Sequence, residues 1–224
     1  LLICCPTRNS LEYLKVACNY KKPILVEKPV DYQSSNLLPF LKYKNIKVAF
    51  NRRFYESVEF AKKFYDKNDI SIIKVSIPEK NNDFSNSEKF PDSIYENSIH
   101  IFDLINFILD DYSFNFSKSF IHQNKLKTII SIGTSKNGNL VQLDICFNSS
   151  DNFSIDIIVD KKRVELCPIE IAKFYGGMEI AEPSEEIPIR RYNPIIRSEV
   201  ISTNIDNTKP GFYKQAQDFY RFCK

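Results

Sequence analysis

Short, continuous apolar runs dominate the first 50 residues. Three of them, Leu1–Cys5, Pro23–Val26 and Ile46–Phe50, are four or five residues long and contain almost no polar position. Runs of this length and composition are typical of strands buried on both faces, as in a parallel sheet covered by helices. This part of the chain is therefore predicted to hold three short parallel strands.

The segments between these runs are predicted to be helical. The first connection has apolar residues at helical spacing, and Asn9 with Glu12 is predicted to form the capping box at its start. The second connection, Asp31–Tyr43, contains Pro39, which forces a helix there to begin late or to kink. A strand–helix–strand–helix–strand order predicts parallel pairing with right-handed crossovers, which is the trailing half of a doubly wound, Rossmann-like sheet.

The pattern changes after residue 51. Ile73–Ile77 alternates apolar and polar residues as a half-buried strand does, and the stretch Asn81–Asp92 is polar and irregular. Helical spacing appears in three further segments: Val58–Phe64, Tyr95–Leu109 and Phe212–Phe222.

A series of alternating segments then predicts a largely antiparallel sheet with one covered face. Leu126–Ser135 leads into an Asn137-Gly138 turn, a strong hairpin signal. Further alternation follows in Val141–Phe147, Phe153–Val159 and Arg163–Leu166, and residues 176–209 are predicted as strand fragments with long loops. The predicted fold class is α/β. Residues 1–51 would form the C-terminal part of a dinucleotide-binding domain, and residues 52–224 a substrate-binding and oligomerisation α+β domain with a large, mostly antiparallel sheet.

Composition narrows the range of functions. The net charge of +3 is small and spread along 224 residues, so nucleic-acid binding, which needs a concentrated basic surface, is not expected. The longest apolar run, Ile101–Leu109, is interrupted by Asp103 and Asn106 and falls well short of the roughly 20 residues of a membrane span. Six cysteines without a Cys-x-x-Cys pair predict buried free thiols in a reducing cytoplasm, and two histidines without ligand spacing predict no metal site.

Glu27-Lys28-Pro29 directly follows the second predicted strand. Ligands of open parallel sheets bind outside the carboxyl ends of the strands, so an ammonium group at Lys28 would point at that crevice. Pro29 stiffens the turn and disfavours helical geometry at Lys28. A surface lysine at a strand exit is an equally good interpretation of this spacing.

Glu96, His100 and Asp103 lie at positions i, i+4 and i+7 of a predicted helix and so share one face. Histidine is the side chain best suited to move a proton near neutral pH, and a neighbouring carboxylate can orient it and raise its pKa. The same spacing also fits an exposed polar helix face or a single half-buried histidine.

Taken in order, these features resemble the Gfo/Idh/MocA family of NAD(P)-dependent oxidoreductases. The features are an apolar strand with Pro6-Thr7, then Glu27-Lys28-Pro29 after a second strand, Asn51-Arg52-Arg53 after a third, and His100-x-x-Asp103 much later. The Arg53-Phe54-Tyr55 and Asn97-Ser98-Ile99-His100 runs look most like the branch associated with bacterial surface polysaccharides.

The resemblance implies hydride transfer between NAD or NADP and a sugar or nucleotide-sugar hydroxyl or keto group. It implies catalytic roles for Lys28 and His100, and substrate-binding roles for Glu96, Asp103 and Arg53. The implied cofactor-binding residues are Pro6, Thr7, Glu27, Lys28 and Pro29. No metal, nucleic acid or membrane is implied. A cytoplasmic homo-oligomer that associates through an open sheet face is expected.

Three departures from the family's pattern keep other interpretations open. Glu96 stands where the family usually has Asp, Ser10 replaces a common His, and the five glycines form no Gly-x-Gly-x-x-Gly motif. The glycine-rich part is expected to lie upstream, so this stretch alone should be inactive. A non-catalytic relative that binds a sugar nucleotide or a partner protein is the main alternative. An oligomerisation module, indicated by apolar alternation on both faces around Ile155–Val159, is a second one.

Overall fold

A small parallel sheet forms the beginning of the protein. The computed structural model describes residues 1–65, 72–80, 94–205 and 207–224. In the sheet, β1 (Leu2–Ile3), β2 (Ile24–Val26) and β3 (Ile46–Val48) lie side by side in that order, all parallel. Helix α1 (Thr7–Cys18) packs on one face over a buried apolar cluster that includes Leu14. The prediction of a Rossmann-like parallel sheet is confirmed.

Both connections in this sheet differ from their predicted form. Helix α1 begins at Thr7 after Pro6, and no side chain caps it, so Asn9 lies inside the helix and the predicted capping box is wrong. The fixed φ of proline and its missing N–H make it well suited to precede the first turn. The helix predicted over 31–43 is only a 3₁₀ segment, Ser34–Phe40, that contains Pro39.

The larger part of the protein is built on an eight-stranded sheet with the order β11-β10-β9-β8-β4-β7-β6-β5. Its strands are β4 (Ile72–Glu79), β5 (Tyr112–His122), β6 (Lys125–Ser135), β7 (Leu140–Phe147), β8 (Ser154–Val159), β9 (Lys162–Leu166), β10 (Ile171–Ala181) and β11 (Arg191–Ile201). Every pairing is antiparallel except β4 with β7. The predicted large, mostly antiparallel sheet is confirmed.

Two helices cover one face of this sheet. They are α2 (Glu56–Phe64) and α3 (Ile99–Leu109), and a π-helical turn, Ile94–Ser98, leads into α3. Alternate residues of the central strands, such as Ile73, Ile145 and Ile157, pack with both helices in one buried core. The opposite face, called the open face below, carries no helix among the described residues.

Some parts of the second sheet were not foreseen. Strand β5 was not predicted, and residues 176–209 hold two long paired strands in place of the predicted fragments. The polar stretch Asn81–Asp92 lies outside the described residues. The cysteines form no disulfide. Cys18 is buried, Cys5, Cys146 and Cys167 are partly buried, and Cys4 and Cys223 are exposed, so the prediction of buried thiols is confirmed only for Cys18.

The chain ends by returning to its first sheet. Helix α4 (Phe212–Phe222) places Asp218 against Lys47 of β3, with 2.6 Å between the carboxylate oxygen and Nζ. Gly211, at the start of α4, has φ +81°, and a Cβ built on it would lie 2.2 Å from the carbonyl oxygen of Asn51. Only glycine allows the backbone to approach this closely.

Across the described residues, no helix is long and apolar enough to cross a membrane.

Candidate active site

The site is assembled where three parallel strands end. Because β1, β2 and β3 run in the same direction, the residues that follow them meet at one edge of the sheet. That edge carries all five residues predicted to bind a cofactor: Pro6, Thr7, Glu27, Lys28 and Pro29. The bond between Lys28 and Pro29 is cis. Residues 49–53 leave the same edge and cross to the second sheet.

Lys28 reaches from this edge towards the second sheet. Its side chain is half-buried, and Nζ donates a hydrogen bond to the backbone carbonyl oxygen of Glu96. Burial lowers the pKa of Lys28, and the charge of Arg52 lowers it further, while Glu27 and Glu96 act in the opposite direction. A lysine that is charged yet partly desolvated is a strong hydrogen-bond donor for an oxygen that gains negative charge.

His100 lies at the start of α3 and is buried, at 7% exposure. Its ring meets the edge of the Phe50 ring, with 6.0 Å between centroids. Within the described part of the chain, its Nδ1 atom is buried and finds no hydrogen-bond partner. Burial lowers its pKa to about 3, helped by the charges of Arg52 and Lys28. The imidazole is therefore neutral at pH 7 and able to accept a proton.

Neither Glu96 nor Asp103 raises the pKa of His100. Glu96 is exposed, and its Oε1 atom accepts a hydrogen bond of 2.8 Å from the hydroxyl of Tyr32. Asp103 accepts hydrogen bonds from Arg53 and not from His100. Two cations, Arg52 and Lys28, act on His100, and they lower its pKa.

Arg53 and Asp103, both predicted to bind substrate, bind each other. Nε of Arg53 donates to Oδ2 of Asp103 at 2.7 Å, and Nη2 donates to Oδ1. The Asp103 side chain is 7% exposed, and the guanidinium lies 5.5 Å from the ring centroids of Phe50 and Phe107. Burial raises the pKa of Asp103, and its bonds to Arg53 oppose that rise. This bidentate pair fixes the crossing segment to α3.

Arg52 was not predicted as a site residue, although its charge acts on both Lys28 and His100. The guanidinium stands over the ring of Phe153 at 5.4 Å. No carboxylate among the described residues forms an ion pair with it. The sequence offers no signal that separates Arg52 from Arg53, because both belong to the same Asn-Arg-Arg run.

A polar cavity of about 490 Å³ opens beside Glu96. Its lining includes the end of β4, the β7–β8 loop and the π-helical turn; the residues used below are Glu79, Glu96, Asn97 and Phe153. Glu79, at the end of β4, is buried and accepts a hydrogen bond from Ser98. Sequence reasoning missed Glu79 because its position in β4 looks like any other strand terminus.

Taken together, Lys28, Arg52, Glu96 and His100 form what we call the Lys28–His100 cleft. It contains a neutral imidazole, an ammonium donor, a guanidinium without a carboxylate partner and an adjacent polar cavity. This arrangement suits removal of a proton from a hydroxyl and stabilisation of the negative oxygen. In the described ranges, no group of three acidic, histidine or cysteine side chains is placed to hold a metal ion.

Solved structures share this architecture. A dehydrogenase from Clostridium difficile superposes with a TM-score of 0.72 at 15% identity, over 98% of this chain and 69% of its own. A Gfo/Idh/MocA family oxidoreductase from Vibrio cholerae superposes with a TM-score of 0.67 at 13% identity, over 99% of this chain and 68% of its own.

The chain has the fold of the Gfo/Idh/MocA oxidoreductases. Levoglucosan dehydrogenase in complex with NADH and levoglucosan has the same fold, with a TM-score of 0.65 at 15% identity, over 99% of this chain and 69% of its own. No protein-family model matches the sequence, and neither does any curated protein. Within this fold, the carboxyl edge of the small parallel sheet and the start of α3 place Lys28 and His100 in one cleft.

Proposed function

We propose that this protein is an NAD(P)-dependent dehydrogenase or reductase that acts on a sugar or nucleotide sugar. The observation that carries the proposal is that Lys28 follows a strand at the carboxyl edge of a parallel sheet and that its charge acts on the buried His100. The fold shared with a dehydrogenase crystallised with NADH and levoglucosan supports it. We further propose the division into a nucleotide-binding part, residues 1–51, and a substrate-binding part, residues 52–224.

His100 is the proton acceptor in the oxidative direction. Its buried Nδ1 atom has no partner among the described residues, so the ring has hydrogen-bonding capacity to spare for a group that enters the cleft. As a substrate hydroxyl is oxidised, its proton passes to the imidazole. In the reductive direction the imidazolium returns that proton.

Lys28 stabilises the reacting oxygen. An ammonium group has three donors, and the Glu96 carbonyl takes one of them, which leaves donors for the substrate. Glu96 and Asn97 then offer polar groups to the sugar hydroxyls from the wall of the polar cavity. The pairing of Arg53 with Asp103 holds His100 and the crossing segment in register.

The residues present fit the nicotinamide end of a dinucleotide. Lys28 and the orphaned Nδ1 of His100 are polar groups at the carboxyl edge, where dinucleotides bind in doubly wound sheets. Pro6, Thr7, Glu27 and Pro29 would hold it there. When bound, the nicotinamide supplies a hydride acceptor or donor at C4.

The test is turnover by the intact gene product with NAD and NADP on a panel of sugars and nucleotide sugars. Lys28→Ala and His100→Ala should each reduce kcat about 100- to 10,000-fold, since each removes a group that acts on the transferred proton or its oxygen. Lys118→Ala and His122→Ala are matched controls, because both residues are exposed on β5, and they should retain activity. An intact protein that binds neither dinucleotide would contradict the proposal and favour the non-catalytic relative.

A second proposal concerns assembly: we infer that the open face packs against a copy of itself. Exposed apolar side chains of β5 and β6 favour this, namely Phe116, Phe120, Ile130 and Ile132. Ile132→Lys should convert the oligomer to monomers in light scattering, whereas Leu41→Lys, which is also exposed but lies in the first part of the chain, should not. A monomeric wild-type protein would contradict this proposal.

A further inference from the structure

Among the described residues, no carboxylate forms an ion pair with Arg52, the guanidinium of the Lys28–His100 cleft. Its neighbour Arg53 donates twice to Asp103, and Lys28 lies near Glu27 and Glu96. The guanidinium of Arg52 is half-buried. A cation in such a position is complementary to an anion from outside the chain.

An aromatic ring supports the guanidinium of Arg52. The guanidinium lies over the ring of Phe153, 5.4 Å from its centroid. Behind the segment that carries Arg52 lies Gly211, where a Cβ atom would come within 2.2 Å of the carbonyl oxygen of Asn51. A side chain supported in this way loses less entropy when it binds a ligand, and a guanidinium has five N–H donors to offer.

The position of Arg52 relates it to both the polar cavity and the reacting groups. Phe153, whose ring the guanidinium contacts, lines the 490 Å³ cavity. The charge of Arg52 reaches Lys28 and His100 and lowers the pKa of each. An anion bound by Arg52 would therefore lie between the polar cavity and the catalytic pair.

We propose that Arg52 binds a carboxylate or phosphate group of the substrate and so selects acidic sugars. This inference rests on the proposed function, since it names the substrate class of the same cleft. The bound anion also offsets one of the two cations that act on His100, so the imidazole becomes a better base only when the correct substrate is present.

The primary test measures binding of D-glucuronate, D-glucose 6-phosphate and D-glucose to the intact gene product by calorimetry. The wild type should bind at least one anionic sugar about 10-fold or more tightly than glucose. Arg52→Gln should weaken binding of that anion about 10- to 100-fold and change glucose binding less than about 2-fold. Arg52→Lys should recover part of the loss, and Arg191→Gln, an exposed arginine on β11, should change nothing.

The two anionic probes separate the two sources of charge. A response confined to glucuronate assigns a carboxylate, and one confined to glucose 6-phosphate assigns a phosphate. Equal affinity for all three sugars, failure to bind any of them, or an equal loss for all three in Arg52→Gln would overturn the inference.

His100 provides a second readout that does not need turnover. The chain has two histidines, so the exposed His122 serves as an internal reference in an NMR titration. The anionic sugar should raise the pKa of His100 in the wild type and leave it unchanged in Arg52→Gln. Selective anion binding without any reduction of NAD or NADP would contradict the proposed dehydrogenase while the assignment of Arg52 stands. Turnover that does not depend on Arg52 would contradict the assignment of Arg52 while the proposed dehydrogenase stands.

Discussion

Two clusters of charge in this protein use the same residue types in opposite ways. On the open face, Arg163 donates to Asp156 at 2.6 Å and to Glu165, and the hydroxyl of Tyr175 donates to Glu165 at 2.7 Å. We call this the Arg163 network. In the Lys28–His100 cleft, Arg52 and Lys28 both act on a histidine that has no carboxylate partner.

This difference in pairing distinguishes side chains that stabilise the fold from side chains that are available to bind a ligand. The Arg163 network is partly exposed, and its single guanidinium is paired with two carboxylates, so its ion pairs offset part of the cost of their own desolvation. The cleft leaves a buried imidazole atom and a guanidinium without such partners among the described residues. Active sites are places where titratable groups have strongly shifted pKa values and where charges are not paired within the protein.

The first way to break this comparison is to disturb the support behind the cleft. Gly211→Ala forces a Cβ to within 2.2 Å of the carbonyl oxygen of Asn51 at a φ of +81°, so it should lower the free energy of unfolding by about 3 kcal/mol. Gly138→Ala has φ +83° with no atom within 4 Å and should cost about 1 kcal/mol in the same urea titration. Equal losses would show that Gly211 does not support the segment that carries Arg52.

The pH dependence of stability sharpens the comparison. His100 has a folded pKa of about 3, below its ordinary value of 6.5, so the unfolded chain takes up a proton first as the pH falls. Stability from this group is present above pH 6.5 and is lost between pH 6.5 and pH 3, by about 2 kcal/mol between pH 7 and pH 5. Urea unfolding at the two pH values measures the loss.

His100→Gln should remove this slope, and His122→Gln should leave it unchanged, since His122 is exposed. A wild-type protein with equal stability at pH 7 and pH 5 would show that His100 is not buried in neutral form.

A smaller effect should separate the two ion pairs. Arg53→Gln strands the Asp103 carboxylate, whose side chain is 7% exposed, and should cost about 2 kcal/mol after allowance for the 36% exposure of the Arg53 side chain. Arg163→Gln leaves carboxylates that are 22% and 24% exposed and should cost about 1 kcal/mol. Thermal unfolding of both variants gives the ranking, and a larger loss in Arg163→Gln would contradict it.

The sequence predicts the buried elements well and the exposed ones poorly. The short runs that became β1 to β3, and the alternation of β4, β6, β7 and β8, record burial directly, because apolar residues occupy the covered positions. Strand β5 is exposed along most of its length, and so are the outer parts of β10 and β11. The sequence of these strands therefore does not show the apolar alternation that predicts a strand.

The positions of Lys28 and His100 follow from local sequence, but their electrostatics do not. Strand order alone places Lys28 at the carboxyl edge. The i, i+4 relation of Glu96 to His100 fails because Glu96 lies in a π-helical turn, whose wider repeat rotates it off that face. Arg52 and Arg53 are adjacent and chemically identical, and only the fold decides that one meets Asp103 and the other meets Phe153.

The most direct test of the central claim follows the hydrogen atom itself. The intact gene product is supplied with NAD or NADP and a sugar substrate that carries deuterium at the carbinol carbon, and the reduced cofactor is analysed by NMR. We expect deuterium at C4 of the nicotinamide, with its formation lost in Lys28→Ala and His100→Ala and kept in Lys118→Ala and His122→Ala. A reduced cofactor without deuterium, or transfer that persists in both cleft variants, would contradict the assignment of this cleft as the site of hydride transfer.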